Sequence, residues 1–125
     1  MRADFEFARY LDSTLLKQDA TEEQMRAHLE LAKKYHFKTV AIGCAWIPFA
    51  KEILAGSDVG IDAPIGYPNG YNTTEAKIFE TIDAFAKGAT EADILMNVSW
   101  FKSGLYADVE EELKRFVCAC GDHLP

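Results

Sequence analysis

Two acidic residues lie inside short segments that otherwise have the pattern of β-strands. Asp93 interrupts the apolar run Ala92–Val98, and Asp12 lies in the segment Leu11–Leu16. Asn97 shares the parity of Asp93, so a strand over this run would carry both polar side chains on one face. Burial of a carboxyl group in a strand costs folding free energy, unless the group is paired with another residue or serves a function that requires it. The pattern allows either a paired structural aspartate or an acid–base carboxylate in a barrel or cleft.

Four strand-like segments alternate with four helical patterns along the chain, behind a short leading helix over Ala3–Tyr10. The predicted strands are Leu11–Leu16, Thr39–Ile42, Val59–Ile65 and Ala92–Val98. The predicted helices begin after Thr21, near Trp46, after Thr73 or Thr74, and near Ala107. Strict alternation of this kind predicts an α/β fold with a parallel sheet and helical crossovers.

Apolar periodicity predicts which face of each helix is buried. The stripe of the first helix is Met25, Leu29, Ala32 and Tyr35 or His36. That of the third is Ile78, Ile82, Phe85 and Ala89, and that of the fourth is Val109, Leu113, Phe116, Val117 and Cys120. Two architectures fit these elements, a small open doubly wound sheet or the first half of a (β/α)8 barrel. Either would place a site at the carboxyl ends of the strands.

Composition narrows the classes of function. The 125 residues carry a net charge of -7, which disfavours nucleic acid or an anionic membrane surface as the main partner. No apolar run is long enough to span a membrane, and no signal-peptide pattern opens the chain. Cys44, Cys118 and Cys120 lack the spacing of a zinc site, so we expect free thiols, no bound metal and a cytoplasmic location.

Several stretches resemble deoxyribose-phosphate aldolases, in the order of that family and over nearly the whole chain. The matching stretches are Leu11–Thr21, Ala55–Val59, Ile65–Gly70, Thr73–Lys77, Gly88–Asn97, Lys102–Gly104 and Cys120–Leu124. One of these motifs alone would be weak evidence, whereas the ordered set is specific. The resemblance implies a TIM-type (β/α)8 barrel, with residues 1–125 as a single N-terminal (β/α)4 half-barrel.

The resemblance also implies an activity, that of a class I aldolase, a carbon–carbon lyase. Members of the family cleave 2-deoxyribose 5-phosphate reversibly to acetaldehyde and glyceraldehyde 3-phosphate through a lysine Schiff base, without metal or other cofactor. Asp93 matches the family's proton-handling acid, and Asp12 matches the acid near the substrate hydroxyls. Thr14 is a further candidate for substrate binding. A phosphorylated sugar or aldehyde is therefore the expected ligand.

The Schiff-base lysine is expected to lie outside this chain. In the family both active-site lysines and the phosphate-binding loops belong to the second half of the barrel. The lysines here fall on predicted helices or loops, and Lys102, just beyond the fourth strand, is the nearest candidate. A lysine in a solvated loop is the simpler interpretation of Lys102. We expect the isolated chain to be inactive as an aldolase.

The chain also departs from the family near the predicted site. Ser13 stands where the family commonly has histidine, and Gly43, Cys44 and Ala45 stand where it has asparagine, proline and cysteine. Three interpretations of the whole chain remain: a part of a working aldolase, an inactive half-barrel that self-associates as a structural or ligand-binding module, and a half that is completed by a second chain. Unpaired sheet edges favour association in the last two.

Overall fold

The computed structural model of the protein describes residues 7–123, which form one sheet of four parallel strands and the helices that connect them. The strands are β1 (Asp12–Leu15), β2 (Thr39–Ile42), β3 (Gly60–Ile65) and β4 (Glu91–Ile94). The helices are α1 (Glu22–Tyr35), α2 (Ile47–Ile53), α3 (Thr74–Lys87), α4 (Val98–Lys102) and α5 (Tyr106–Cys120). The predicted leading helix, Ala3–Tyr10, begins outside the described residues.

The strand order decides between the two predicted architectures. The strands lie side by side in sequence order, β1-β2-β3-β4, and all three pairings are parallel. Right-handed crossovers that always advance in one direction place every connecting helix on the same side of the sheet. A doubly wound sheet would instead reverse its strand order at a switch point. The fold is therefore that of half a (β/α)8 barrel, as predicted.

The hydrophobic core lies between the sheet and its helices. Every second residue of the central strands faces this core and is almost completely buried, as Val40, Ile42, Ile61, Ala63 and Ile65 show. Three residues of the predicted α1 stripe, Met25, Leu29 and Ala32, pack onto them, whereas Tyr35 at the end of the helix is 50% exposed. Burial of such side chains stabilises the fold by roughly 1.5–3 kcal/mol for each large aliphatic residue.

Capping residues stand at the ends of three helices. The Thr21 hydroxyl accepts a hydrogen bond from the Gln24 backbone N–H, and the Gln24 side chain accepts one from Thr21, so that a capping box starts α1. Thr73 caps α3 by accepting from the Ala76 N–H. Gly121 ends α5 with a φ of 55°, in the left-handed region that glycine tolerates.

The predicted buried stripes of α3 and α5 are wrong in part. Ile82 is 55% exposed and Val117 is 45% exposed, whereas Lys77 on α3 and Glu112 on α5 are fully buried. The Lys77 ammonium lies 2.7 Å from the Glu112 carboxylate, and this ion pair occupies the interface between the two helices. Apolar periodicity could not predict this arrangement because it assigns charged residues to the solvent face.

The fourth strand is shorter than predicted. It ends at Ile94, and Asn97 is the N-cap of α4, with its side chain accepting a hydrogen bond of 3.1 Å from the Trp100 N–H. Asn97 therefore does not share a strand face with Asp93. Gly70, in the loop that follows β3, lies close against the carbonyl oxygens of Leu95 and Met96.

Candidate functional site

The face of the sheet opposite the helices carries a group of acidic side chains. Paired residues of adjacent parallel strands point to the same side, and side chains alternate along each strand. The register therefore places Asp12 and Thr14 of β1, Asp62 of β3, and Glu91 and Asp93 of β4 on one face. We call this surface the acidic face. It corresponds to the inner surface of a closed barrel.

Asp93, the predicted acid–base residue, lies on the acidic face but is exposed. The expectation of a buried carboxyl group is wrong for this chain. The physical reason is that β4 is an edge strand, which has a neighbouring strand on only one side among the described residues. Asp93 is thus accessible to a ligand or a partner approaching the sheet.

Asp12 and Thr14, the predicted substrate-binding residues, lie at the opposite edge of the same face. The buried Thr39 hydroxyl donates a short hydrogen bond to the Asp12 carboxylate and holds it in place. The Thr14 hydroxyl donates to the Asp12 main-chain oxygen at 3.4 Å, a weak contact. Both side chains are exposed, and the structure brings them onto the same face as Asp93.

Asp62 was not identified from the sequence and is the most unusual residue of this face. It lies on β3, is only 4% exposed, and its Oδ1 atom has no hydrogen-bond partner. Burial, together with the nearby carboxylates of Asp93 and Asp12, raises the pKa of Asp62 to about 7. A neutral Asp62 can donate a hydrogen bond to Asp93. The sequence does contain a sign of this residue, because Asp62 is an acid between the apolar residues Ile61 and Ala63 of a predicted strand.

A cleft of about 270 Å³ opens where β1 and β2 end, at the carboxyl edge of the sheet. Its lining includes Lys17, Gln18, Gly43, Cys44 and Tyr67. Burial, reinforced by Glu80, raises the pKa of the Cys44 thiol to about 12. A raised pKa keeps the thiol protonated near neutrality, which disfavours Cys44 as a nucleophile.

None of the lysines in residues 7–123 forms an ion pair with Asp12, Asp62 or Asp93. Lys77 is fully buried and engaged by Glu112 and by the Leu95 carbonyl oxygen, so it cannot reach a substrate. Lys102 ends α4 with an exposed side chain. The described part of the chain thus offers no buried amine beside the acidic face.

No group of three or more histidine, cysteine or acidic side chains within residues 7–123 is arranged to hold a metal ion. No helix of the described chain has the length and hydropathy needed to cross a membrane.

No protein-family model matches the chain, but individual relatives do. A deoxyribose-phosphate aldolase from Streptococcus sanguinis is 46% identical over 116 residues, which are 93% of this chain and 53% of that protein. A deoxyribose-phosphate aldolase from Staphylococcus carnosus is 42% identical over 118 residues, 94% of this chain and 54% of that protein. The chain spans about half the length of these curated relatives.

Solved structures agree with the sequence relatives. A candidate deoxyribose-phosphate aldolase from Coccidioides immitis superposes with a TM-score of 0.91 at 31% identity, covering 95% of this chain and 47% of that one. The deoxyribose-phosphate aldolase of Aeropyrum pernix, which is tetrameric, superposes with a TM-score of 0.79 at 26% identity, covering 95% of this chain and 51% of that one. The resemblance predicted from the sequence motifs is confirmed.

Proposed function

We propose that this chain is the N-terminal half of a Schiff-base aldolase. The premise is that nearly its whole length is similar to about half the length of individual deoxyribose-phosphate aldolases. The single observation that carries the proposal is the 46% identity to the Streptococcus sanguinis enzyme over 93% of the chain. The proposed reaction is the reversible cleavage of 2-deoxyribose 5-phosphate to acetaldehyde and glyceraldehyde 3-phosphate, in the cytoplasm.

In this proposal Asp93 and Asp12 act on one substrate from opposite edges of the acidic face. A lysine of the other barrel half attacks the carbonyl carbon, and the carbonyl oxygen leaves as water. The resulting iminium accepts the electron pair of the breaking carbon–carbon bond. Asp93, which is exposed, transfers protons at the reacting carbon. Asp12, held by Thr39, accepts hydrogen bonds from substrate hydroxyls with Thr14 beside it.

The proposal is tested by trapping the Schiff base. The purified 125-residue chain is treated with acetaldehyde and borohydride, alone and after co-expression with the remaining part of the Streptococcus sanguinis enzyme, and intact masses are measured. We expect no adduct on this chain and one reduced ethyl adduct on the added half. Asp93→Asn should lower the cleavage rate by at least about a hundredfold. Glu52→Gln, on the exposed surface of α2, is the charge-matched control.

Two outcomes would contradict the proposal. A complex of the two halves that gains no adduct and cleaves no substrate would remove the aldolase function. Full activity of the Asp93→Asn complex would remove the role of this residue.

A second function, an inactive half-barrel that self-associates as a structural or ligand-binding module, is supported by one specific observation. An open apolar groove lies along α5, lined by Phe101, Tyr106, Leu113 and Val117 among other residues. Exposed apolar surface of this kind is typical of interaction sites. A stable dimer of the chain without activity in the presence of a second half would favour this function.

A further inference from the structure

Glu80, on α3, is a half-buried acid without a cationic partner in the described part of the chain. None of the lysine and arginine side chains in residues 7–123 forms an ion pair with its carboxylate. Withdrawing a carboxylate from water is costly unless hydrogen bonds replace those to water. The groups that Glu80 contacts therefore show what keeps this side chain turned into the fold.

The first contact of Glu80 is with the start of the loop after β3. The Gly66 backbone N–H donates a hydrogen bond of 2.8 Å to the Glu80 carboxylate. The Gly66 carbonyl oxygen accepts one of 2.8 Å from the Gly70 N–H, which closes the loop on itself. Gly66 also packs closely on α3, since a Cβ atom there would lie 2.9 Å from the Lys77 side chain. By holding Gly66, Glu80 holds the compact loop that carries Tyr67.

The second contact of Glu80 is with the loop after β2. The Cys44 thiol donates a hydrogen bond to the Glu80 carboxylate and lies 3.8 Å from the Pro64 carbonyl oxygen. Burial, together with the nearby charges of Glu80 and Asp83, raises the pKa of the thiol to about 12, so the thiol keeps the proton that it donates. One carboxylate thus joins the loops that follow β2 and β3.

The two loops held by Glu80 are walls of the cleft at the carboxyl edge of the sheet. Cys44 and Tyr67 both line this cleft of about 270 Å³, together with Gln18 and Trp46, whereas Glu80 lies outside its lining. Loops at the carboxyl ends of the strands form the active sites of (β/α)8 enzymes. The width of the cleft depends on the distance between the loops after β2 and β3, and Glu80 fixes that distance from outside the cleft.

We infer that Glu80 is a positioning residue of the proposed aldolase: the length of its side chain sets the spacing of the two loops, and with it the affinity of the cleft for substrate. The inference rests on the proposed function, because the cleft is taken to contact the phosphorylated sugar. Glu80 acts through Cys44 and Tyr67. Removing such an interaction weakens the binding of substrate and transition state alike, so KM should rise while kcat stays nearly constant.

Two substitutions of Glu80 separate the length of the side chain from its charge. Glu80→Asp keeps the charge but is shorter by one methylene group and cannot reach both Gly66 and Cys44. Glu80→Gln loses the charge but keeps the length and an oxygen that accepts from the Gly66 N–H. Glu52→Asp, the same change on the exposed surface of α2, is the control.

Steady-state kinetics measure the effect on the reaction. The enzyme is one continuous chain in which residues 1–125 are followed by the part of the Streptococcus sanguinis aldolase that they do not match, and the substrate is 2-deoxyribose 5-phosphate. Glu80→Asp should raise KM about tenfold and change kcat less than about twofold, as expected for one lost hydrogen bond to a charged group. Glu80→Gln should stay within about threefold of the wild-type KM, and Glu52→Asp should equal the wild type.

Amide chemical shifts of the 125-residue chain measure the loops directly. Glu80→Asp should displace the resonances of Ala45 and Tyr67, each of which follows a contact of Glu80 along the chain. Glu80→Gln should leave them nearly in place. These shifts do not depend on any catalytic activity.

The possible results separate this inference from the proposed function. An unchanged KM in Glu80→Asp, a rise in Glu80→Gln or Glu52→Asp that is at least as large, a fall of kcat in place of the rise in KM, or unmoved resonances of both loops would each overturn the inference. A continuous chain that cleaves no substrate in any variant would overturn the aldolase function, and the chemical shifts would then decide the inference.

Discussion

The residue pattern predicts a buried Asp93 on the acidic face, but the buried acid of this face is Asp62. Asp93, inside the predicted apolar run Ala92–Val98, is exposed, whereas Asp62 is 4% exposed. The cause is position in the sheet, because β3 has a strand on each side and β4 has one. A carboxyl group is desolvated by what surrounds its strand and not by the composition of the strand itself.

Asp62 should make the stability of the fold fall as the pH rises. Its pKa is about 7 in the folded chain against an ordinary value of 3.8, so the folded state keeps a proton that the unfolded state releases between these values. The free energy of unfolding should decrease from pH 4 to pH 7, by up to about 4 kcal/mol at about 1.4 kcal/mol per pKa unit. Above pH 7 the full penalty is present.

Urea unfolding of the wild type, Asp62→Asn and Glu52→Gln at several pH values between 4 and 8 measures this effect. Asp62→Asn should equal the wild type near pH 4 and exceed its stability at pH 8. Glu52→Gln should follow the wild type throughout. A constant difference between Asp62→Asn and the wild type at every pH would show that Asp62 is not desolvated in the folded chain.

At the scale of elements, α3 and α5 are joined by a polar network inside the fold. The Lys77 ammonium donates to Glu112 at 2.7 Å and to the Leu95 carbonyl oxygen at 2.8 Å, and the Thr74 hydroxyl donates to Glu112 at 2.9 Å. The network also reaches the chain just beyond β4. It thereby ties two helices to the segment that leads away from Asp93.

Removing one member of the buried ion pair should be strongly destabilising. Lys77→Met leaves the Glu112 charge buried without its partner, and we expect a loss of about 3–5 kcal/mol in the free energy of unfolding. Lys77→Met combined with Glu112→Leu should recover most of that loss. Urea unfolding of the single and double variants measures the coupling between the two residues.

The exposed pair Lys114 and Glu110 on α5, which lie 2.6 Å apart, provides the matched control. Lys114→Met should change the stability by less than about 1 kcal/mol because both side chains are in water. Equal losses for Lys77→Met and Lys114→Met would mean that burial of the first pair has no energetic consequence.

Gly70, in the loop after β3, is less tolerant of a side chain than Gly56, which lies between α2 and β3. Gly70 has a φ of 71°, and a side chain there would collide with the Met96 carbonyl oxygen and lie 2.9 Å from that of Leu95. Gly56 has a φ of 76° with nothing within 4 Å. Gly56→Ala should therefore cost only the backbone strain, about 1–2 kcal/mol.

Gly70→Ala should cost the same strain and, in addition, a displacement of the β4 exit. We expect a larger loss in thermal unfolding, by at least about 2 kcal/mol relative to Gly56→Ala. Chemical shift changes at Leu95 and Met96 should accompany it. Equal stabilities of the two variants would contradict the close packing of this loop against the β4 exit.

At the scale of the whole molecule, the half-barrel has two open sheet edges. β2 and β3 are paired on both sides, whereas β1 and β4 each have one neighbour among the described strands. Unpaired strand edges are templates for association with another chain. The two edge strands border the acidic face, so association through both edges would also cover that face.

Amide hydrogen exchange of the isolated chain should reflect this architecture. Amides of β2 and β3 should exchange only through global unfolding, while the outward-pointing amides of β1 and β4 exchange close to the rate of an unprotected chain. Addition of a complementary half should protect both edges. Uniform protection of all four strands in the isolated chain would show that its edges are already covered.

The sequence alone determined the four pairs of strand and helix, their order and the resemblance to deoxyribose-phosphate aldolases. Periods of two and about 3.6 residues, capping residues and ordered motifs are local properties, so the starts of α1 and α3 and the strand Thr39–Ile42 could be predicted from neighbouring residues. The acids Asp12 and Asp93 could be placed on strands for the same reason.

Only the tertiary structure decided which polar residues are buried. The ion pair of Lys77 and Glu112 joins residues 35 positions apart. Asp62 is buried by the strands beside it. Strand order, which separated half a barrel from a doubly wound sheet, is likewise a relation between distant segments. Desolvation and charge pairing depend on these distant contacts, and for that reason no local pattern could reveal them.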